Sequence, residues 1–223
     1  MPESSTTIGH PVAPASRADR GPIPVVGVIG GIGGGKSSAA AALAARGAVV
    51  IDADAVGHET LRRPEVARRV AERFGPAVVA ADGSIDRRAL GRVVFADASA
   101  RRDLESIVHP PMFEEFGRRI AEARALGEAP LIVLDAAILL EAGWDRACDA
   151  VVFVDAPREI RLDRVRRGRG WSDEDLSRRE AAQWPLDRKK AGAGHVLVND
   201  GDAARLESEI DRLMPKLIRA RGS

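Results

Sequence analysis

Val25–Ala44 read VVGVIGGIGGGKSSAAAALA. A β-branched apolar run passes into Gly30-Gly31-Ile32-Gly33-Gly34-Gly35-Lys36-Ser37, and an alanine-rich helical run follows. The centre satisfies G-x-x-x-x-G-K-[ST] in the strand-to-helix setting that the motif requires. Glycines there permit positive φ values, so the backbone can wrap its N–H groups around an anhydride chain of phosphates. The helix that follows adds the positive end of its dipole. In such a loop Gly31, Gly33, Gly34, Gly35, Lys36, Ser37 and Ser38 surround the phosphates of ATP, with Lys36 reaching the β- and γ-phosphates and the Ser37 hydroxyl ligating Mg2+. A dinucleotide-binding turn does not fit, because the third glycine of G-x-G-x-x-G counted from Gly31 falls on Lys36.

Outward from this loop, short apolar runs alternate with helical stretches: Val25–Ile29, Ala48–Ile51, Leu131–Leu134, Ala150–Val154 and His195–Val198. That rhythm predicts an α/β fold, a doubly wound parallel five-stranded sheet with helices on both faces. Right-handed crossovers bring the strand C-terminal ends to one edge. Gly30–Ser37, Asp52–Asp54, Asp135, Asp155 and Asn199–Gly201 should therefore border one cleft. The gap between Ile51 and Leu131 predicts a helical insertion over about 55–128, with helices at Pro64–Gly75, Arg87–Phe95 capped by Asp86, Ser99–Val108 and Pro111–Leu126. His109 then sits at a helix break before Pro110-Pro111.

Phosphoryl transfer to an alcohol needs a group that accepts or orients the hydroxyl proton. Ile51-Asp52-Ala53-Asp54 offers two carboxylates at a strand end. Asp54 is the expected base or positioner, unless it caps the next helix, and Asp52 a contact to a metal-bound water or to structure. Asp135, closing an apolar strand, has the setting of a carboxylate that steadies the metal through water, or of a turn cap. Arg87 and Arg88 begin a helix, where they bind phosphate or form a solvated face. Arg158, Arg161, Arg164, Arg166, Arg167 and Arg169 precede Gly170-Trp171. With Gly168 and Gly170 interrupting the basic helix, these arginines predict a mobile lid over about 158–190 closing on the triphosphate.

Lys and Arg number 34 against 33 Asp and Glu, a net charge of +1 that excludes the strong field of a general nucleic-acid binder. No apolar run approaches the length of a membrane span, and the single Cys148 cannot form an internal disulfide, which fits a reducing, cytoplasmic setting. Residues 1–24 are rich in Pro, Ser, Thr and Ala without apolar periodicity and read as a flexible tail before one domain over 25–223. A monomer or weak homo-oligomer acting on a small molecule, without nucleic-acid or membrane partners, is the expectation.

The phosphate loop, Ile51-Asp52-Ala53-Asp54, Ala81-Asp82-Gly83-Ser84-Ile85-Asp86-Arg87-Arg88-Ala89-Leu90, Phe95, His109-Pro110 and Asn199-Asp200-Gly201 together resemble the dephospho-CoA kinases. The likeness runs from about Val25 to the end and implies a P-loop kinase. Such a kinase passes the ATP γ-phosphoryl group to the ribose 3′-hydroxyl of dephospho-CoA, giving CoA and ADP in the last step of coenzyme A biosynthesis. It also implies Asp54 as base, Arg87, Arg88 and His109 on the acceptor side with Asp135 near them, and Arg164 and Arg169 clamping the transferring phosphate. Asn199 to Gly201 would border adenine. Two departures stand out: the family usually has Ser in place of Gly34, and it reads Asp-x-Pro-Leu-Leu-x-Glu where this chain has Asp135-Ala136-Ala137-Ile138-Leu139-Leu140-Glu141. Another small-metabolite or nucleoside-monophosphate kinase is the alternative in the same class. A nucleotide-dependent switch shares the loop, but the Asn-Lys-x-Asp element of a guanine-binding switch is missing from the sequence.

Overall fold

A computed structural model of the chain describes residues 21–220. Its five strands are β1 (Val25–Gly30), β2 (Val49–Asp52), β3 (Ile132–Asp135), β4 (Ala150–Asp155) and β5 (His195–Val198), each within a residue or so of the expected run. All pair in parallel, in the order β2-β3-β1-β4-β5. The central β1 is buried along its whole length, as a strand covered by helices on both faces must be.

Alternation along the strands divides the core. Val26, Val28, Val133 and Val154 face α1 (Lys36–Ala44) and the C-terminal α9 (Ala203–Arg219), packing with Leu43, Leu206 and Ile210. Val25, Ile29, Ile132, Leu134 and Phe153 face the other way, toward Met112, Phe116 and Trp144. Each fully buried side chain of this size contributes about 1.5–3 kcal/mol. Because the chain leaves β1 toward β2 but later crosses to β4 on the other side, the switch point of the sheet falls at the C-terminal end of β1.

Between β2 and β3 come α2 (Ala53–Thr60), α3 (Pro64–Phe74), α4 (Arg87–Ala96) and α5 (Ala98–Leu126). Pro64 opens α3 and Gly75 ends it, and the Asp86 carboxylate caps α4 by accepting from the N–H groups of Arg88 and Ala89. Val66, Val70, Val78, Ile85, Leu90 and Ile107 give this segment its own core. After β4 come α6 (Arg158–Arg169), α7 (Asp173–Glu180) and α8 (Leu186–Ala191).

Two expectations need correction. The break at Pro110-Pro111 does not occur: α5 is one helix through both prolines, and His109 lies inside it. The prolines remove two backbone donors, yet Ile107 on one side and Met112 and Phe116 on the other are buried. That packing holds the segment helical, while Ser106 and Pro110 face solvent, where water can satisfy the carbonyl that Pro110 frees. The glycines of the basic stretch do not interrupt its helix either, since α6 runs through Gly168 and ends at Gly170, φ +67°. Of the expected tail, residues 1–20 lie outside the described residues. Ile23 and Pro24 are buried, and their carbonyls accept from Arg124 and Ile132.

Candidate active site

At the switch point the chain turns from β1 into α1 through the glycine loop. The turn closes with Gly34 N–H donating to Gly31 O at 2.9 Å. Gly33 and Gly35 have φ of +75° and +90°, left-handed values that side chains resist. Close packing adds to this: a Cβ on Gly33 would come 2.6 Å from the Arg161 carbonyl, and one on Gly35 2.1 Å from Asn199 Nδ2.

Asn199, at the end of β5 and 4% exposed, donates Nδ2 to Gly34 O at 2.8 Å. Arg164 donates to Gly33 O and Gly34 O at 3.5 and 3.3 Å, and to Asn199 Oδ1 at 3.2 Å. With these carbonyls held by side-chain donors, the loop backbone is fixed before any ligand arrives, which is the preorganisation an anion site needs.

Lys36 Nζ lies 3.1 Å from Asp135 Oδ1, an ion pair without hydrogen-bond geometry. Burial pushes the Asp135 carboxyl above its usual range, Lys36 opposes that, and neighbouring Asp52 and Asp54 add to it slightly. Asp52, beside Asp135 in strand register, caps α2 by accepting from Asp54 N–H and Ala55 N–H at 2.8 and 3.1 Å. The cap is thus Asp52 rather than Asp54. The Asp54 carboxylate is exposed, accepts no hydrogen bond among the described residues, and lines the cavity.

That cavity holds about 980 Å3. Its walls include Gly31, Gly33, Gly34, Gly35, Lys36, Ser37, Ser38, Asp54, Arg87, His109, Arg164 and Arg169. The fold thus gathers twelve of the sequence-predicted residues around one space. Asp135 stands behind Lys36 and Asn199 behind the loop. Gly201 does not reach the wall, and the exposed Arg88 side chain points elsewhere.

A further wall of the cavity comes from α2, α4 and α5. Arg87 contacts His58 Nε2, one helical turn beyond Asp54 on α2. His109 meets the Trp144 ring edge-on at 4.9 Å, and burial holds its pKa below the ordinary histidine value. Of the arginine run, Arg158 pairs with Asp173 and Glu180, and Arg167 with Asp163. Arg169 lies 4.8 Å from the Trp171 ring, whose other neighbour is Arg179.

Glu141 and Lys189 had no expected role, and Arg161, expected among the lid arginines, braces the fold instead. Arg161, 4% exposed, links the Ala156 and Ile32 carbonyls to Glu180 and so fastens α7 to the loop. Glu141 and Lys189 form a buried pair beneath the turn after β3. Only spacing could have flagged that pair, and a lysine in a basic stretch reads as surface.

A glycine loop at the switch point of an all-parallel sheet, with a lysine at its end and a free carboxylate in the same cavity, defines a P-loop kinase. Residues 24–205 match the family described as dephospho-CoA kinase. The chain belongs to that family. It is 42% identical over 188 residues to the dephospho-CoA kinase of Symbiobacterium thermophilum, covering 84% of this chain and 78% of that one. With its counterpart from Anaeromyxobacter dehalogenans it shares 42% over 200 residues, 89% and 94% of the two chains. Among solved structures, TT1252 from Thermus thermophilus superposes with a TM-score of 0.73 at 36% identity, over 89% of this chain and 99% of that one. The fold alone is shared with shikimate kinase from Acinetobacter baumannii, TM-score 0.52 at 16% identity, over 90% and 98%.

Proposed function

We propose that this protein phosphorylates the ribose 3′-hydroxyl of dephospho-CoA with ATP, releasing CoA and ADP. The observation that carries this reading is the division of labour at the end of β2: Asp52 is consumed as a helix cap, leaving Asp54 unengaged in the cavity that Lys36 also lines. The 3′-hydroxyl gives its proton to Asp54 as its oxygen bonds to the γ-phosphorus, and the bond from that phosphorus to the β,γ-bridging oxygen breaks. Lys36 then stabilises charge growing on the departing ADP. On this reading Arg87 and His109 hold the acceptor, α2–α5 form its pocket, and α6–α8 act as the lid.

The donor set suits Mg2+ arriving with the nucleotide. Ser37 offers an exposed hydroxyl in the first turn of α1, and Asp135 a buried carboxylate oxygen without a hydrogen bond. Among the described residues no three His, Cys, Asp or Glu cluster to bind a metal alone, so phosphate oxygens would complete the shell. When bound, the ion would neutralise charge on the β- and γ-phosphates. A coupled ADP-release assay with ATP, Mg2+ and dephospho-CoA tests the reading. ADP formation strictly dependent on dephospho-CoA is expected, and release with another alcohol but not with it would refute the assignment.

A further inference from the structure

The turn that follows β3 lines the cavity through Ala136, Ala137 and Ile138, and it continues to Trp144, against which His109 rests. That turn is held from α8 (Leu186–Ala191). Lys189 on α8 is 0% exposed; its ammonium donates to Ala137 O at 2.7 Å and Gln183 Oε1 at 2.9 Å and forms an ion pair with Glu141 Oε1 at 2.8 Å. Two hydrogen bonds and one ion pair thus hold the ammonium in place. Glu141 Oε1 also accepts from Trp184 N–H at 3.1 Å, while Oε2 is buried with no hydrogen-bond partner.

A buried ion pair of this kind is a poor source of stability, since desolvating both charges offsets their attraction. It does fix geometry, because each partner left alone would be a buried unpaired charge. From the turn the restraint passes on: Leu139 O accepts from Trp144 N–H at 2.9 Å, and Trp144 packs on His109 and Phe116. Gln183, at the other end of the network, is itself part of the cavity wall.

We infer that Lys189 is a positioning residue for the acceptor: with Glu141 it pins the 136–144 turn, and thereby Trp144 and His109, to the far end of the lid segment. The inference rests on the activity proposed above. It places the effect of Lys189 on acceptor binding rather than on ATP, whose loop is braced independently by Arg161, Arg164 and Asn199.

The test replaces both charged partners with apolar groups of similar size, Lys189→Met with Glu141→Leu, which leaves no orphaned charge. Steady-state kinetics and amide hydrogen exchange are then compared with wild type. The expected result is a folded protein whose KM for dephospho-CoA rises about tenfold while that for ATP stays within about twofold. Exchange at residues 136–144 should quicken by about tenfold or more. Unchanged KM values, or a rise shared equally by both substrates, would overturn the inference. If the double variant does not fold, Glu141→Gln keeps an acceptor oxygen but uncouples the charge. The same split between the two KM values is then expected, and its absence overturns the idea. Wild-type protein inactive on dephospho-CoA would count against the proposed activity, leaving exchange at 136–144 to decide for or against the pin.

Discussion

Gly35→Ala should be far more damaging than its size suggests, and Gly83→Ala provides the internal standard. Both glycines have left-handed φ, +90° and +83°. Around Gly83 a Cβ would meet nothing within 4 Å. Gly83→Ala therefore isolates the backbone cost of alanine at positive φ, about 1–2 kcal/mol. At Gly35 the same Cβ falls 2.1 Å from Asn199 Nδ2, well inside contact. Asn199 must then swing away, which breaks its bond to Gly34 O and the one it accepts from Arg164. With roughly 1 kcal/mol for each lost bond, Gly35→Ala should cost about 3–4 kcal/mol, some 2 kcal/mol more than the standard. Urea denaturation monitored by circular dichroism reads the stability difference, and calorimetric titration with ATP reads the site. Affinity for ATP should fall at least about tenfold for Gly35→Ala and not at all for Gly83→Ala, because only one of the two carries the phosphate loop. Equal destabilisation of the two variants, or full ATP affinity in Gly35→Ala, would refute the idea that Asn199 braces the loop from outside.

Asp54→Asn should lower kcat by about 10²–10⁴-fold with ATP affinity nearly intact, and unchanged turnover in a coupled assay would remove Asp54 from the chemistry. Lys36→Ala should abolish measurable ATP binding, and by deleting the cation beside Asp135 it should push that carboxyl further up, which ¹³C carboxyl titration by NMR can follow. Glu115, almost buried among Arg63, Arg118 and Arg119, has its pKa lowered from 4.5 to about 2, chiefly by the hydrogen bonds from Arg118. A depressed folded-state pKa means the stabilisation is complete above about pH 4.5 and is lost as pH falls toward 2. Up to about 3 kcal/mol should disappear across that window. Denaturation midpoints for Glu115→Gln should lack this part of the acid slope.

The order and type of the strands, the phosphate loop, the ends of α3 and α4, and the two strand-end carboxylates could all be read in the sequence. Each depends on signals within a few residues: β-branched runs, glycines before Gly-Lys-Ser, a proline opening a helix, an aspartate ahead of one. Local signals also misled. Pro110-Pro111 carries the mark of a break, and only the burial of Ile107, Met112 and Phe116 on either side makes α5 continuous. Asp52 and Asp54 are indistinguishable two residues apart until the backbone shows which one reaches the N–H groups of α2.

What the chain order alone determined, then, was that a triphosphate-binding loop would sit at the edge of a parallel sheet, because hydrophobic period and glycine placement are short-range properties. Three-dimensional packing decided which charges face the cavity and which brace it. Lys189 lies in a stretch that looks like solvated surface and Arg161 in one expected to close on the triphosphate, yet both are buried, with partners 48 and 129 positions away at Glu141 and Ile32. Whether a charged side chain is surface, brace or site depends on contacts that exist only once distant segments have met.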